Sequence, residues 1–186
     1  GYGEVTAEDV KFSFERVDGL TKPNIESPYA GDWVALQEVR VDGKYEGTII
    51  LKEQFAPLTR TTLPAYYGGS ILSKKAVTEL GEEYALNPVG TGPYEFVEWK
   101  PKQRVLLKRF AEWGGASSEF VTPQWDEIEA IPIDEDAAAD IALETGELDF
   151  GEIALASVER FEENDDFTVG KYVTFDYSWI GMNLRN

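Results

Sequence analysis

Carboxylates are the reactive groups this sequence holds in excess. Asp134, Glu135 and Asp136 stand in a row, and Glu162, Glu163, Asp165 and Asp166 form a second cluster. A hard cation needs several carboxylate oxygens at once, so both clusters raise the question of calcium. Neither has the spacing. The first runs into alanines, and the second lacks the Gly and distal Glu of a calcium loop. Helix capping and solvated surface account for both, and no metal is expected. A second candidate is the turn Gly90-Thr91-Gly92-Pro93, rich enough in glycine to cradle a phosphate. A phosphate loop needs a helix behind it, whose amides and dipole converge on the anion. Here strand-forming residues follow from Tyr94 to Trp99, with no Lys-Ser/Thr pair after the second glycine. The turn is expected to aim a hairpin, not to hold a nucleotide.

What is missing narrows the chemistry further. The 186 residues include no His and no Cys, which excludes Ser-His-Asp and Cys-His catalysis, His- or thiolate-bound zinc, and disulfides. Paired carboxylates remain possible for a glycosidase, with five Trp and nine Tyr available to stack on sugars. Among so many acids, nothing in the spacing selects one pair. Thirty-five Asp and Glu oppose 17 Lys and Arg, a formal charge of -18. That field repels phosphate backbones and anionic headgroups, so nucleic acid is not an expected partner. No apolar run approaches the roughly 20 residues of a membrane helix. The start, "GYGEVTAEDV", lacks the basic and apolar regions of a signal peptide.

The elements that must position any site can be read from capping and periodicity. Thr6 with Asp9 forms a capping box, Val10, Phe14 and Val17 share one helical face, and Gly19 ends the helix. Residues 36–41 and 48–51 flank a turn expected at Asp42-Gly43. Pro57 suits a helix start that Pro64 limits, and Ser73 caps a helix through Leu80 that Gly81 closes. Tyr94 to Trp99 and Arg104 to Phe110 make a hairpin across "KPKQ". Ile128, Ala130 and Ile133, then a helix capped by Asp134 and ended by Gly146, then Leu148, Phe150 and Ile153, predict a βαβ crossover with parallel strands. The residues from Phe167 onward are strand-like again. Trp99, Phe110, Trp113 and Trp125 are expected in the core. Tyr29 and Trp33 lie in a loop, where either core packing or a binding surface is open to them.

Several of these segments together resemble the family 5 extracellular solute-binding proteins of ABC importers. The likeness is carried by "TAEDVKFSFERV", "SPYA" at Ser27 to Ala30, "NPVGTGPYEFVEWKPKQRVLLKR", "IPIDEDAAADIALETGELDF" and the terminal "IGMNL". The resemblance implies a mixed α+β chain of the α/β class with a type II periplasmic-binding-protein-like fold, whose two lobes close on ligand by a hinge. It implies that residues 1–80 are the small subdomain of lobe I and 81–186 part of its α/β subdomain. The N-terminal strands, the signal segment and lobe II would then lie outside this sequence.

By the same resemblance, Tyr29, Gly151, Glu152, Ile153 and Trp179 contact ligand, and no residue is catalytic. The relatives' acidic anchor for a peptide amino terminus has no counterpart here, which leaves sugars, nickel complexes and opines open beside peptides. The implied function is capture of a small solute, a peptide first among candidates, for delivery to ABC permease subunits. No cofactor is implied. The implied location is periplasmic or extracellular, with a possible lipid anchor in the full-length protein. A single lobe is expected to bind weakly or not at all, because it cannot surround and desolvate a ligand. The alternatives are a carbohydrate-active enzyme or sugar-binding domain, and an interaction domain with no small-molecule site.

Overall fold

The computed structural model of the protein describes residues 1–20, 27–65, 67–114 and 123–172. The chain divides into the units Gly1–Ile131 and Pro132–Asn186. Helix α1 (Ala7–Asp18) begins where the capping pair predicts. The Thr6 N–H and hydroxyl both donate to Asp9 Oδ2, at 2.9 and 2.8 Å, and Gly19 ends the helix in the left-handed region at φ 83°. Its apolar face packs against a hairpin of β1 (Leu36–Gly43) and β2 (Glu46–Leu51), paired antiparallel from Leu36↔Leu51 to Gly43↔Glu46. Phe14, Trp33, Leu36 and Val39 are the buried centre, with Val10, Val17, Ile49 and Leu51 around them. One buried acid stitches the helix to the strand. Glu15 accepts the Val39 N–H at 2.9 Å and Lys11 Nζ at 2.6 Å, and the same ammonium donates to the Val39 carbonyl at 2.8 Å.

The hairpin turn differs from the expected one. Lys44 and Tyr45 form the tip, because Gly43 pairs with Glu46 and Asp42 is held in the ladder region. The Asp42 carboxylate accepts from Arg40 Nε at 2.7 Å and from the Thr48 hydroxyl at 2.6 Å, which fixes it beside the strands.

Three short turns follow, a π-type turn at Leu58–Thr62, α2 (Leu63–Ala65) and a 3-10 turn at Tyr67–Gly69. Helix α3 (Lys74–Leu80) is capped by Ser73, whose hydroxyl accepts the Ala76 N–H at 3.2 Å. Strands β3 (Tyr94–Lys100), β4 (Arg104–Arg109) and β5 (Glu127–Ala130) form a separate antiparallel sheet in the order β3-β4-β5. The Gly-Thr-Gly-Pro turn therefore feeds a strand, as read from the residues behind it. Leu107 faces Phe96 on one side and Ile128 on the other, giving the sheet an apolar face. Its other face carries Arg104 between Glu98 and Glu129, with the Arg104–Glu129 contact at 2.9 Å.

The second unit contains α4 (Asp136–Glu144) and α5 (Val158–Glu162). The βαβ expectation fails here. Strand β5 runs antiparallel to β4 and stops at Ala130, ahead of Pro132, which has no N–H to donate. Beyond α4, residues 148–153 form no strand, and Phe150 is 91% exposed. Alternating apolar residues become a strand only beside an edge that pairs their amides, and the described residues offer them none. The same holds for residues 167–172, while the remainder of that stretch lies outside the described residues. The cap of α4 is Glu135 in place of Asp134, with no side-chain hydrogen bond. Trp99, Phe110 and Trp125, expected in the core, are exposed, and Trp113 is half-buried.

Burial pushes the Asp9 carboxyl up, but hydrogen bonds from the Lys74 N–H and from the Thr6 N–H and hydroxyl, with the nearby Lys74 charge, outweigh it. The net effect holds Asp9 below the usual aspartate range. A carboxyl depressed by folding adds stability above its unfolded value and loses it as pH falls through the folded one. Acidification below about pH 4 is therefore expected to lower the urea midpoint of the wild type. The Asp9→Asn variant should be less stable at neutral pH and show a flatter profile in that acid window.

Candidate ligand-binding site

Tyr29 sits on a frame that the "SPYA" loop builds from its own backbone. The Ser27 hydroxyl accepts the Tyr29 N–H at 3.2 Å, and the Ser27 carbonyl accepts the Ala30 N–H at 3.1 Å. A 3-10 turn, Ala30–Trp33, then sends Trp33 into the core, where it is 1% exposed. Its ring stacks on Phe14 with centroids 4.3 Å apart, and its indole N–H donates to the Gly68 carbonyl at 3.0 Å. That bond ties the Tyr29 loop to the turn carrying Tyr67. The Thr62 hydroxyl adds a second tie, donating to the Asp32 carbonyl at 3.1 Å.

The approach is close, tight for any side chain at position 68 and closed to one at position 69. A Cβ on Gly68 would lie 3.1 Å from Trp33 Nε1 and 3.2 Å from Tyr29 Cβ, and one on Gly69 would lie 2.4 Å from the Leu63 carbonyl oxygen. Above this seam the half-buried Tyr29 ring meets the Tyr67 ring at 5.9 Å and a 56° tilt. Together they form an aromatic corner on the surface.

Gly151, Glu152 and Ile153 lie in the second unit, after α4. Gly151 and Glu152 are exposed and Ile153 is half-buried. Their path is fixed from below by Asp140, which is 3% exposed. Its carboxylate accepts the Ala154 N–H at 3.3 Å, the Ser157 hydroxyl, and Arg160 Nη2 at 3.1 Å, while Arg160 also reaches Glu144 at 3.0 Å. A Cβ on Gly151 would meet only the Leu143 and Leu148 side chains, at 3.6 Å or more. Tyr29 and the 151–153 segment therefore belong to different units, and Trp179 lies outside the described residues.

Sequence reasoning missed two parts of this arrangement. Asp140 was legible as an acid three residues before Leu143, and α4 buries both. Tyr67 was legible as the aromatic ahead of a Gly-Gly pair. A shallow cleft of about 420 Å³ also lies at the start of α1, lined by residues that include Tyr2, Glu4, Asp9 and Lys74. Its charges are answered locally, by Lys74–Glu8 at 3.0 Å and Lys44–Glu4 at 2.7 Å, and it includes none of the expected ligand residues. The buried acids Asp9, Glu15 and Asp140 each accept backbone N–H groups, so their carboxylates serve the fold.

Residues 3–186 match the model of the bacterial extracellular solute-binding proteins, family 5 Middle. The chain belongs to that family. Among curated proteins it is similar to the glutathione-binding protein GsiB of Pectobacterium atrosepticum, 28% identical over 137 residues, covering 73% of this chain and 26% of the relative. Among solved structures it is similar to MoaA from A. tumefaciens R10 in complex with mannopinic acid, at 33% identity and a TM-score of 0.73, over 88% of this chain and 32% of that one. It is also similar to DppA from Helicobacter pylori in complex with the peptide STSA, at 26% identity and a TM-score of 0.72, over 88% and 33%. The chain thus spans about a quarter of the curated relative and a third of each solved chain. Its mixed helices and sheets and these neighbours bear out the expected class, a partial lobe of the type II periplasmic-binding-protein-like fold. The family is one of extracellular binding proteins.

Two substitutions test how the site is held. Gly69→Ala is expected to lower stability by about 1–3 kcal/mol in urea melts, since backbone must shift to admit the methyl, whereas Gly151→Ala should stay within about 0.5 kcal/mol of wild type. Asp140→Ala strips the acceptor from a backbone amide and a hydroxyl, for an expected loss of about 1–3 kcal/mol. Hydrogen exchange should localise that loss to the Ala154 amide.

Proposed function

We infer that this chain supplies part of the solute-capturing surface of an ABC importer's binding protein, which takes a small solute and hands it unaltered to membrane permease subunits. The family match over residues 3–186 carries this reading. The site supports it: aromatic rings on glycine-tight turns offer contact area, and the buried acids are engaged in structure instead of poised for proton transfer. Ligand contacts fall to Tyr29, Gly151, Glu152, Ile153 and Trp179. A peptide is the first candidate solute, in keeping with relatives that bind glutathione and the peptide STSA, while the mannopinic acid complex keeps opine-like solutes in range. The protein works outside the cytoplasmic membrane, in the periplasm or on the cell surface, where a lipid anchor would hold it near its permease.

Within this reading, residues 1–80 form a small subdomain and 81–186 contribute to an α/β subdomain. The clustering of α1, β1 and β2 about one core, with β3, β4 and β5 in a sheet of their own, supports a boundary between them.

Thermal unfolding of the natural full-length protein against peptides, sugars and nickel chelates tests the function. A true solute at a hundred times its Kd adds about 2.7 kcal/mol to apparent stability and is recovered chemically intact. Tyr29→Ala should weaken binding about tenfold. Indifference to the whole panel, or turnover of any member, would overturn the proposal.

A further inference from the structure

The geometry points to Tyr67 as a second solute-contacting residue, one that selects for a planar or apolar group on the solute. This rests on the solute-binding reading above and adds a residue and a chemical preference to it. Tyr67 is 79% exposed, yet the turn that carries it is anchored to the core. Its turn is fastened by the Trp33 indole bond to the Gly68 carbonyl, and of the two glycines after it Gly68 is tightly packed and Gly69 leaves no room for a methyl. A large ring is therefore held out in water by a backbone that is locked from beneath.

Tyrosine offers broad, rigid contact area at little cost in side-chain entropy, which is why exposed tyrosines on fixed frames serve recognition. The neighbouring Tyr29 ring stands 5.9 Å away at a 56° tilt, so the two rings make an open angle instead of a closed stack. One face of that angle is available to a third flat or apolar group, which would gain the offset or edge contacts that aromatic pairs favour. A small methyl-bearing solute fills the angle less well than a phenyl-bearing one.

The test uses the natural full-length protein and four calorimetric probes: Ala-Ala-Ala, Ala-Phe-Ala, glutathione and mannopinic acid. Ala-Phe-Ala is expected to bind more tightly than Ala-Ala-Ala. Tyr67→Ala should weaken Ala-Phe-Ala about tenfold and narrow the difference between the two tripeptides, while Tyr67→Phe should retain the preference. Thermal unfolding without ligand should be unchanged in both variants, since Tyr67 is not part of the core. Tyr67→Ala with wild-type affinity and preference would overturn the assignment of Tyr67 alone. A wild-type protein that binds none of the four would overturn the Tyr67 preference, while the solute-binding reading falls only if the peptide, sugar and nickel-chelate panel above also fails.

Discussion

The hydrogen bond from the Trp33 indole to the Gly68 carbonyl is the constraint around which the first unit is arranged. Trp33 is a large aromatic that the core must bury, and its N–H must find an acceptor when water is removed. The acceptor comes from a turn 35 residues further along the chain. Meeting that need brings the Tyr67–Gly69 turn against the Tyr29 loop, where Gly68 packs tightly, while Gly69 lies against the Leu63 and Thr62 carbonyls with no room for a Cβ. The aromatic corner is a consequence of burying tryptophan correctly. Phe14 completes the arrangement by stacking on the other ring face, which couples α1 to the same point.

Polar groups carry much of the specification elsewhere. The Ser13 hydroxyl donates to the Asp9 carbonyl at 2.7 Å and accepts the Leu72 N–H at 2.8 Å, and Asp9 Oδ1 accepts the Lys74 N–H at 2.9 Å. These bonds fix the start of α3 against α1 with an accuracy that apolar contact alone does not enforce. Asp140 plays the comparable part in the second unit, joining α4 to the segment that leads into α5. In each case a buried acid is stable because several donors surround it, and each ties together segments distant in sequence.

The sequence disclosed elements whose signals are local. The Thr6–Asp9 box, the Ser73 cap, the terminating glycines and the hairpin after Pro93 all depend on neighbours within a few residues, and all formed as read. It disclosed less where the outcome depends on a distant partner. Leu148, Phe150 and Ile153 alternate as a strand would, but alternation specifies no edge to pair with. Trp99 and Trp125 are apolar enough for a core, yet burial depends on what covers the sheet face, which local pattern does not encode. Tyr29 stood out by its place in a loop, and the likeness of that loop to a family is what favoured a binding role over core packing. For Tyr67 the Gly-Gly pair behind it was readable but its importance was not, because that lies in a ring across space and the packing beneath the turn.

The capture role proposed above requires binding without chemistry and release without damage, and the aromatic corner is consistent with both demands. Most of the entropy of ordering the aromatic corner is spent when the chain folds, since the turns are already locked by Trp33, Thr62 and the glycines. On the proposed reading, little ordering entropy would remain to be spent at this corner when a solute arrives at the full-length protein. Among the described residues, the buried acids Asp9, Glu15 and Asp140 lie inside structural hydrogen bonds, and several cations are committed to pairs such as Arg40–Asp42 and Arg160–Glu144. On the solute-binding reading proposed above, recognition would fall to rings and backbone, groups whose contacts depend little on pH and salt.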